Sequence, residues 1–299
     1  MQTSGVAIDF SRRFMPEHLT PLFHTACYAR LTREQRLRYN QLHSFYLNEQ
    51  TIFFESAMAQ HILRAFTMRE LPASLATGLE TFIAEEAAHS EMFRQLNRLC
   101  WPDVYSKEDF YFVRLAFMSS ICLRKWVKHA RMFPFFLWIL LIQEERALFY
   151  AREFLKEAGE LEPNFVAVQR RHLADEAGHI LWDQELLNLI WPQMTKGSRI
   201  FNARLFAWMM GEYFTTPKRS GLRVVAELIK KFPALQPLWP ELRTEMLELS
   251  RNERFNLLCY SREVTPKTFA RFDQWLEFRP VNKAFPSYQP LSDISKSLK

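Results

Sequence analysis

The sequence predicts an all-α protein whose core is a four-helix bundle. Glycine is scarce, with 7 residues in 299, which argues against Rossmann-like and all-β folds. Hydrophobic residues make up 48% of the chain. They fall in long segments that prolines bound rather than interrupt, as is typical of helices packed against one another.

The composition narrows the class of protein further. The formal charge of +6 is modest, and no glycine-rich phosphate loop or basic-aromatic array is present, so we expect no nucleic-acid partner. The longest apolar run, 133–142, is about half the length that a bilayer span needs. The N-terminus lacks the pattern of a signal peptide. Four scattered cysteines, none in a Cys-x-x-Cys pair, indicate reduced thiols and a cytoplasmic protein.

Start and stop signals set the predicted helices. After an irregular arm over 1–15 and a short helix over 16–30, Thr32 and Gln35 form a capping box that begins the first long helix. Prolines and a glycine mark the ends of the helices that follow. We predict core helices over 33–68, 73–99, 106–132, 134–158 and 163–191.

The pattern changes after residue 192. Shorter helices are predicted over 198–213, 217–232 and 240–261, and recurring prolines from residue 265 onward favour extended chain. No composition shift marks a domain boundary. We therefore expect a single domain over 1–299, with a bundle core over 32–192 and a C-terminal helical extension over 193–299.

Three metal-binding side chains share one face of the helix at 163–191. His172, Glu176 and His179 lie within about 60° of one another on a helix. Two imidazoles and a carboxylate in one stripe suit a divalent first-row metal. Apolar neighbours make the helix partly buried, so the carboxylate needs a counter-charge, which a metal supplies.

The helix at 73–99 carries a second such pair, Glu86 and His89. Alone, Glu85-Glu86-Ala-Ala-His89 is as consistent with a solvated helix face as with a metal site. Two Glu-x-x-His helices together are typical of four-helix carboxylate proteins, in which each of the other two helices provides a Glu. The pair therefore favours a metal centre.

The two remaining carboxylates are left open by spacing. Glu144 and Glu145 follow an apolar run, and either one fits as a ligand. Glu49 and Glu55 are six residues apart and point about 120° from each other, so only one of them faces a common site.

The combined pattern resembles the diiron arylamine N-oxygenase family, within the ferritin-like diiron carboxylate class. The resemblance covers roughly residues 40–190. It is carried by Asn48-Glu49-x5-Glu55, Glu85-Glu86-x-x-His89, Glu145 and His172-x-x-x-Glu176-x-x-His179. The histidine four residues before the last Glu-x-x-His separates this family from most diiron proteins.

The resemblance implies a ferritin-like bundle and a complete ligand set. In that family the second Glu of the Asn-Glu-x5-Glu motif is the ligand, which corresponds to Glu55. The family's interval between the glutamate of the third helix and the first histidine of the last motif, here His172, corresponds to Glu145 rather than Glu144. The implied metal ligands, catalytic through the metal, are Glu55, Glu86, His89, Glu145, His172, Glu176 and His179. By this resemblance Glu55 and His89 hold one iron, Glu145 and the other two histidines hold the second, and the remaining two glutamates bridge.

Three further positions bear on the site. Asp183 lies on the face of His172 and His179, and Asp175 is about 60° off it, so each is either an acceptor for an imidazole N–H or an ordinary surface residue. Leu47 stands where some family members carry Tyr. This departure from the family pattern bears on whether the substrate is an aminobenzoate, and it leaves the metal site unchanged.

The implied activity is that of a diiron-dependent oxygenase. Such an enzyme uses dioxygen to convert an amine through a hydroxylamine toward a nitroso or nitro product. Carboxylate-rich sites with imidazoles suit iron, and manganese is an alternative. The metal ligands alone do not exclude an alternative, a diiron C-hydroxylase or desaturase, and a second alternative is a simpler ferritin-like bundle that stores iron or scavenges oxidants. The 27 phenylalanines and the length beyond residue 192 favour an organic-substrate pocket over storage.

An oxygenase of this kind needs partners. No flavin or nicotinamide motif is present, so we expect an external electron donor, a ferredoxin or a reductase. Residues 217–231 are basic on one side and apolar on the other, which is more typical of a solvated helix face than of a docking site for an acidic protein. A homodimer formed through helix faces is a further expectation.

Overall fold

The computed structural model describes residues 7–114, 117–216 and 218–290, and these residues form an all-α protein, as predicted. The described part contains no strand, only an isolated bridge between Arg13 and Leu161. Its α-helices are α1 (Ala26–Arg30), α2 (Arg33–Ile52), α3 (Gln60–Thr67), α4 (Ala73–Cys100), α5 (Pro102–Tyr105), α6 (Phe117–Lys128), α7 (Phe135–Lys156), α8 (Pro163–Ile190), α9 (Lys196–Met209), α10 (Lys218–Lys231), α11 (Trp239–Glu248), α12 (Glu253–Cys259) and α13 (Pro266–Gln274).

The bundle is formed by α2 continued into α3, α4, α7 and α8. Helix α7 packs along α8, and α4 contacts both α8 and α2. The predicted bounds of α4, α7 and α8 are confirmed closely. The predicted capping box also forms at the start of α2, where the backbone N–H of Gln35 donates to Thr32 Oγ1 at 3.3 Å and that of Thr32 donates to Gln35 Oε1 at 2.9 Å.

The first predicted long helix is interrupted at the position of Glu55. A π-helix, Phe53–Ala59, separates α2 from α3. A π-turn adds a residue to the turn and so changes the direction of the side chains around it, and such turns are frequent at functional sites. No proline or glycine marks this segment, which is why the sequence pattern predicted an unbroken helix.

The segment predicted as a helix over 106–132 is helical mainly in α6. Residues 107–114 are instead irregular, and the backbone N–H groups of three of them have an acceptor outside the segment. The buried Glu49 carboxylate accepts hydrogen bonds from the backbone N–H groups of Tyr111, Phe112 and Val113 at 2.7–3.0 Å. It also accepts one from the Tyr105 hydroxyl at 2.7 Å. A distant carboxylate therefore takes the amides that a helix would have used.

The C-terminal extension is more helical than predicted. The helix expected over 240–261 is divided into α11 and α12, and a second π-helix, Met210–Phe214, follows α9. The expectation of extended chain from residue 265 is wrong for most of residues 265–290, where α13 and a 3₁₀ helix, Leu276–Lys283, form. Residues 291–299 of that segment lie outside the described residues. Pro266 is the first residue of α13, a position that lacks an intrahelical acceptor for an N–H in any case.

The extension packs on the bundle through aromatic side chains. Phe272 stacks on Phe278 with ring centroids 4.6 Å apart, and Trp138 of α7 lies 4.3 Å from Phe278. Trp191 at the end of α8 lies 5.1 Å from Trp138. This continuous core supports our proposal that the chain forms one domain.

The N-terminal region departs from its predicted helix. Two 3₁₀ turns, Glu17–Leu19 and Pro21–His24, precede the short α1. The preceding arm is irregular where it is described, and the buried Asn40 side chain of α2 holds it by binding the backbone of Phe14 and Met15. Residues 1–6 of the predicted arm lie outside the described residues. No helix in the described part of the chain is long and apolar enough to cross a membrane.

Helices α4 and α8 approach closely at Gly78. A Cβ atom at this position would lie under 3.0 Å from three atoms of the Trp182 indole. Trp182 in turn packs beside Phe82 and His179, with ring centroids 6.0 and 6.1 Å apart. The absence of a side chain at Gly78 therefore lets the indole lie against α4, beside one of the predicted metal ligands.

We expect Gly78→Ala to lower the free energy of unfolding by about 1–3 kcal/mol, because the indole and α4 must move apart. Gly197→Ala is the matched control, since Gly197 lies within α9 and a Cβ there meets nothing within 4 Å. That change is expected to stabilise by about 0.5–1 kcal/mol through helix propensity. Urea denaturation measures both; equal stability of the two variants would contradict this account.

Candidate metal centre

Seven buried side chains meet in the middle of the bundle, and we call them the carboxylate–histidine cluster. The π-helix and α7 give one carboxylate each, α4 gives a glutamate and a histidine, and α8 gives a glutamate and two histidines. None is more than 5% exposed. The members are Glu55, Glu86, His89, Glu144, His172, Glu176 and His179.

His172 lies between two of the carboxylates. Its Nε2 is 3.1 Å from Glu55 Oε1 and 2.7 Å from Glu176 Oε1. The other oxygen of Glu55 accepts a hydrogen bond from Ser90 Oγ at 3.0 Å, which orients that carboxylate. The edge of the Phe93 ring packs on the imidazole of His172 at 5.3 Å.

His179 faces three carboxylates with one ring nitrogen. Its Nδ1 lies 3.5 Å from Glu86 Oε1, 3.5 Å from Glu144 Oε2 and 3.8 Å from Glu176 Oε2. His89 Nδ1 faces Glu86 Oε1 at 3.7 Å. In both residues, therefore, Nδ1 is the atom directed at the cluster.

The outward nitrogens of these two histidines are held by a reciprocal pair of acids. His89 Nε2 lies 3.0 Å from Asp175 Oδ2, and His179 Nε2 lies 3.0 Å from Glu85 Oε2. An acceptor on Nε2 fixes the tautomer with a free Nδ1 lone pair, as metal-binding histidines require. Each acid directly precedes the Glu of a Glu-x-x-His motif and contacts the histidine of the other helix.

The structure thus distinguishes the two aspartates that the sequence left open. Asp175 is an acceptor for a histidine of the cluster. Asp183 is fully buried rather than on the surface, but both of its carboxylate oxygens lack a hydrogen-bond partner among the described residues. Sequence reasoning assigned no role to Glu85, although the acid-Glu-x-x-His repeat was the signal that could have identified it.

The selection of Glu145 is corrected by the structure, which places Glu144 in the cluster. Glu145 points to α13, where its oxygens accept hydrogen bonds from the backbone N–H groups of Lys267 at 2.7 Å and Thr268 at 2.8 Å, and from the Thr268 hydroxyl at 2.7 Å. Consecutive helical residues point about 100° apart, so only one of the pair can face the bundle centre. An interval along the sequence is a weak guide, because one extra residue in a connection changes it while the helices still face each other.

The division of ligands between two ions also differs from the expected one. Three triads bring one ligand atom per residue within 4.8 Å of one another, and they are Glu55–His89–His172, Glu86–His89–His179 and Glu144–Glu176–His179. His172 therefore belongs with Glu55 and His89, not with His179. The geometry favours Glu86 and Glu176 as the groups between the two ends.

The unsatisfied atoms of the cluster show that its residues fit bound cations. Both oxygens of Glu86, Oε2 of Glu176 and Nδ1 of His89 are buried without a hydrogen-bond partner in the described structure. Oε1 of Glu55 and Oε1 of Glu176 share one donor, His172 Nε2. Burying such atoms unpaired is costly, and acceptors outnumber donors here. Carboxylate and imidazole donors in this ratio suit iron or manganese.

The electrostatics of the cluster lead to the same conclusion. Burial and the neighbouring Glu144 raise the pKa of Glu176 to about 8. Burial and the charges of Glu144 and Glu55 raise the pKa of Glu86 well above its ordinary value. Burial alone would lower the pKa of His179, but a hydrogen bond and the charge of Glu144 raise it to about 9. Without metal the cluster holds extra protons, which divalent ions would displace.

A cavity of about 260 Å³ reaches the cluster. Glu55, Glu144 and His172 form part of its wall, and aromatic side chains, among them Phe53, Phe54 and Phe214, cover other parts. Its size and mixed lining suit a small organic molecule held against the cluster. Leu47 lies in the same wall.

The sequence also matches a known protein family. The family model described as the p-aminobenzoate N-oxygenase AurF matches residues 2–232, which is more than half of the chain and includes every member of the cluster. No curated protein matches the sequence significantly.

The neighbouring glutamates of α7 offer a matched test of the metal centre. We expect Glu144→Gln to lower the iron content of the protein reconstituted without oxygen, because a ligand charge is removed. Glu145→Gln should keep the iron and instead lower the melting temperature, because the carboxylate that holds the first turn of α13 is weakened. Iron analysis and thermal unfolding of both variants give the readout. Loss of iron in Glu145→Gln alone would restore the assignment made from the sequence.

Proposed function

Because this chain belongs to the p-aminobenzoate N-oxygenase family, we propose that it binds two iron ions in the carboxylate–histidine cluster and uses them to oxidise an aromatic amine. Family membership makes the protein an oxidoreductase that N-oxygenates an amine. The identity of the metal, its ligands and the particular amine are the proposed parts. The single observation that carries them is a cavity that ends on a cluster of buried, unsatisfied metal ligands.

We assign the ligands from the geometry of the cluster. Glu55, His89 and His172 would hold one ion, and Glu144 and His179 the other. Glu86 and Glu176 would lie between them. Two iron ions bound there would activate dioxygen for oxygen transfer to nitrogen, and manganese is the alternative occupant.

The residues of the chain itself would position the substrate and exclude water from it. The ring edges and faces of the phenylalanines in the cavity wall give an aromatic amine an apolar contact surface. His172, the histidine that distinguishes this family from most diiron proteins, belongs both to the cluster and to the cavity wall. A substrate in the cavity would therefore approach it. Asp175 and Glu85 keep two of the imidazoles oriented while a substrate binds and leaves.

Product analysis tests the proposed reaction. We expect the iron-loaded protein, given dioxygen, a chemical reductant and 4-aminobenzoate or aniline, to form hydroxylamine, nitroso or nitro products that liquid chromatography and mass spectrometry identify. Glu176→Ala is expected to abolish product, because it removes a carboxylate from between the two ions. Hydroxylation or desaturation at carbon would support the alternative enzyme class, and iron oxidation without any organic product would support iron storage. Either outcome would contradict the proposal.

We further propose that an acidic electron-transfer protein reduces the iron and docks on α10. This helix buries Val224, Val225 and Leu228 and exposes Lys218, Arg219, Lys230 and Lys231. The first two of these basic residues also line the cavity. Exposed charges attract a partner of opposite sign and are screened by salt.

Reduction by an acidic ferredoxin should therefore slow as ionic strength rises. Lys230→Glu with Lys231→Glu is expected to slow it about tenfold at low salt, while reduction by dithionite stays unchanged. Stopped-flow absorbance measures both rates. A ferredoxin rate that neither salt nor these substitutions alter would contradict docking on α10.

Two further expectations stay proposals. Cys27, Cys100 and Cys259 are free and buried, which supports a reducing, cytoplasmic location. The second expectation is a homodimer formed through helix faces, which sedimentation velocity would test directly.

A further inference from the structure

Arg146, a partly buried cation in the cavity wall, has no counter-charge among the described residues. Arg146 lies on α7 two residues after Glu144 and lines the cavity that reaches the cluster. Its Nη2 donates to the Tyr150 hydroxyl at 3.1 Å, and its Nη1 lies at the limit of hydrogen bonding from the Tyr260 hydroxyl, at 3.5 Å. The guanidinium carbon lies 4.8 Å and 5.4 Å from the centroids of these two rings.

The two tyrosines hold the guanidinium but do not neutralise it. Within the described residues, no carboxylate forms an ion pair with Arg146, and its Nε is buried without a hydrogen-bond partner. Stacking on aromatic rings compensates a partly buried cation only in part. A guanidinium that is fixed in place and unpaired is prepared to bind an anion that enters the cavity.

The same cavity wall offers the rings of Phe53, Phe54 and Phe214 as an apolar contact surface for an anion that carries a ring. Gln143, Tyr150 and Gln169 add polar groups, while Leu47 adds none. The Tyr260 hydroxyl already accepts a hydrogen bond from Gln143 at 2.9 Å and donates one to the Phe214 carbonyl at 3.1 Å. Lys218 and Arg219 of the same wall are exposed to solvent, whereas Arg146 is partly buried, is held by the two tyrosines and has free donor capacity.

We propose that Arg146 is the specificity-determining residue of the cavity and binds a carboxylate group of the amine substrate. The planar fork of a guanidinium matches the two oxygens of a carboxylate. The amine of the same molecule then faces Glu55, Glu144 and His172, which lie in the same cavity wall. That the amine of this molecule is oxidised at the cluster rests on the proposed function, whereas binding of its carboxylate by Arg146 does not.

Equilibrium binding tests this assignment without requiring turnover. The iron-loaded protein, kept free of oxygen, is titrated with 4-aminobenzoate and with its uncharged methyl ester by calorimetry. We expect the acid to bind at least about tenfold more tightly than the ester. Arg146→Met should remove that preference by weakening acid binding about tenfold or more, because a partner of a desolvated ion pair is lost. Binding of the ester should change less than about threefold.

Two further variants control for folding and for charge in general. Arg146→Lys keeps the cation and is expected to retain part of the preference for the acid. Arg114→Met removes another arginine of the same cavity wall, one that already donates to the Phe110 carbonyl at 2.7 Å and pairs with Glu108 at 3.6 Å, and it should change acid binding less than about twofold.

Several outcomes would overturn the assignment. These are a wild-type protein that binds acid and ester equally, an Arg146→Met variant that loses both ligands to the same degree, and an Arg114→Met variant that reproduces the Arg146 effect. Acid binding that depends on Arg146 in a protein that oxidises no amine would overturn the proposed function and leave this assignment intact.

Discussion

The main constraint on this structure is the mutual repulsion of four carboxylates that are buried at the centre of the bundle. Glu55, Glu86, Glu144 and Glu176 converge from four helices with too few hydrogen-bond donors to satisfy them. Their mutual charge and burial raise the pKa of Glu86 and Glu176. Such an arrangement is unfavourable alone and becomes favourable when divalent cations occupy it. The close α4–α8 approach, the reciprocal acid–histidine contacts and the aromatic packing around His179 all serve to keep these groups together.

Other buried carboxylates of the same chain show the contrast. Glu49, Glu145 and Glu162 are buried as deeply, but each accepts hydrogen bonds from at least two backbone N–H groups. Glu49 fixes an irregular loop, Glu145 holds the start of α13, and Glu162 caps α8. Among the described residues, a buried glutamate therefore either binds backbone N–H groups or belongs to the cluster.

This contrast explains what the sequence could and could not predict. Helical periodicity, stop signals and the Glu-x-x-His spacing located the bundle and most members of the cluster, because these are local properties of a helix. The choice between Glu144 and Glu145 depends on how α7 is rotated against α13, which is a tertiary property. The same holds for the irregular segment after residue 106, where hydrogen bonds to the distant Glu49 override the local preference for a helix. The π-helix at Glu55 contains no proline or glycine that would have marked it in the sequence.

The cavity connects this electrostatic centre to substrate choice. Its wall contains three members of the cluster and the guanidinium of Arg146, which has no ion pair among the described residues, so a single bound molecule could bind Arg146 and present an amine to the metal. The aromatic residues between them explain part of the high phenylalanine content, and the C-terminal aromatic core explains another part.

Iron stoichiometry with Mössbauer spectroscopy tests the central claim most directly. The protein reconstituted with ⁵⁷Fe and then oxidised is expected to hold two irons per chain as a magnetically coupled pair, because Glu86 and Glu176 would lie between two ions held by the cluster. One iron per chain, or two ferric ions without magnetic coupling, would contradict a two-metal centre built by these seven side chains.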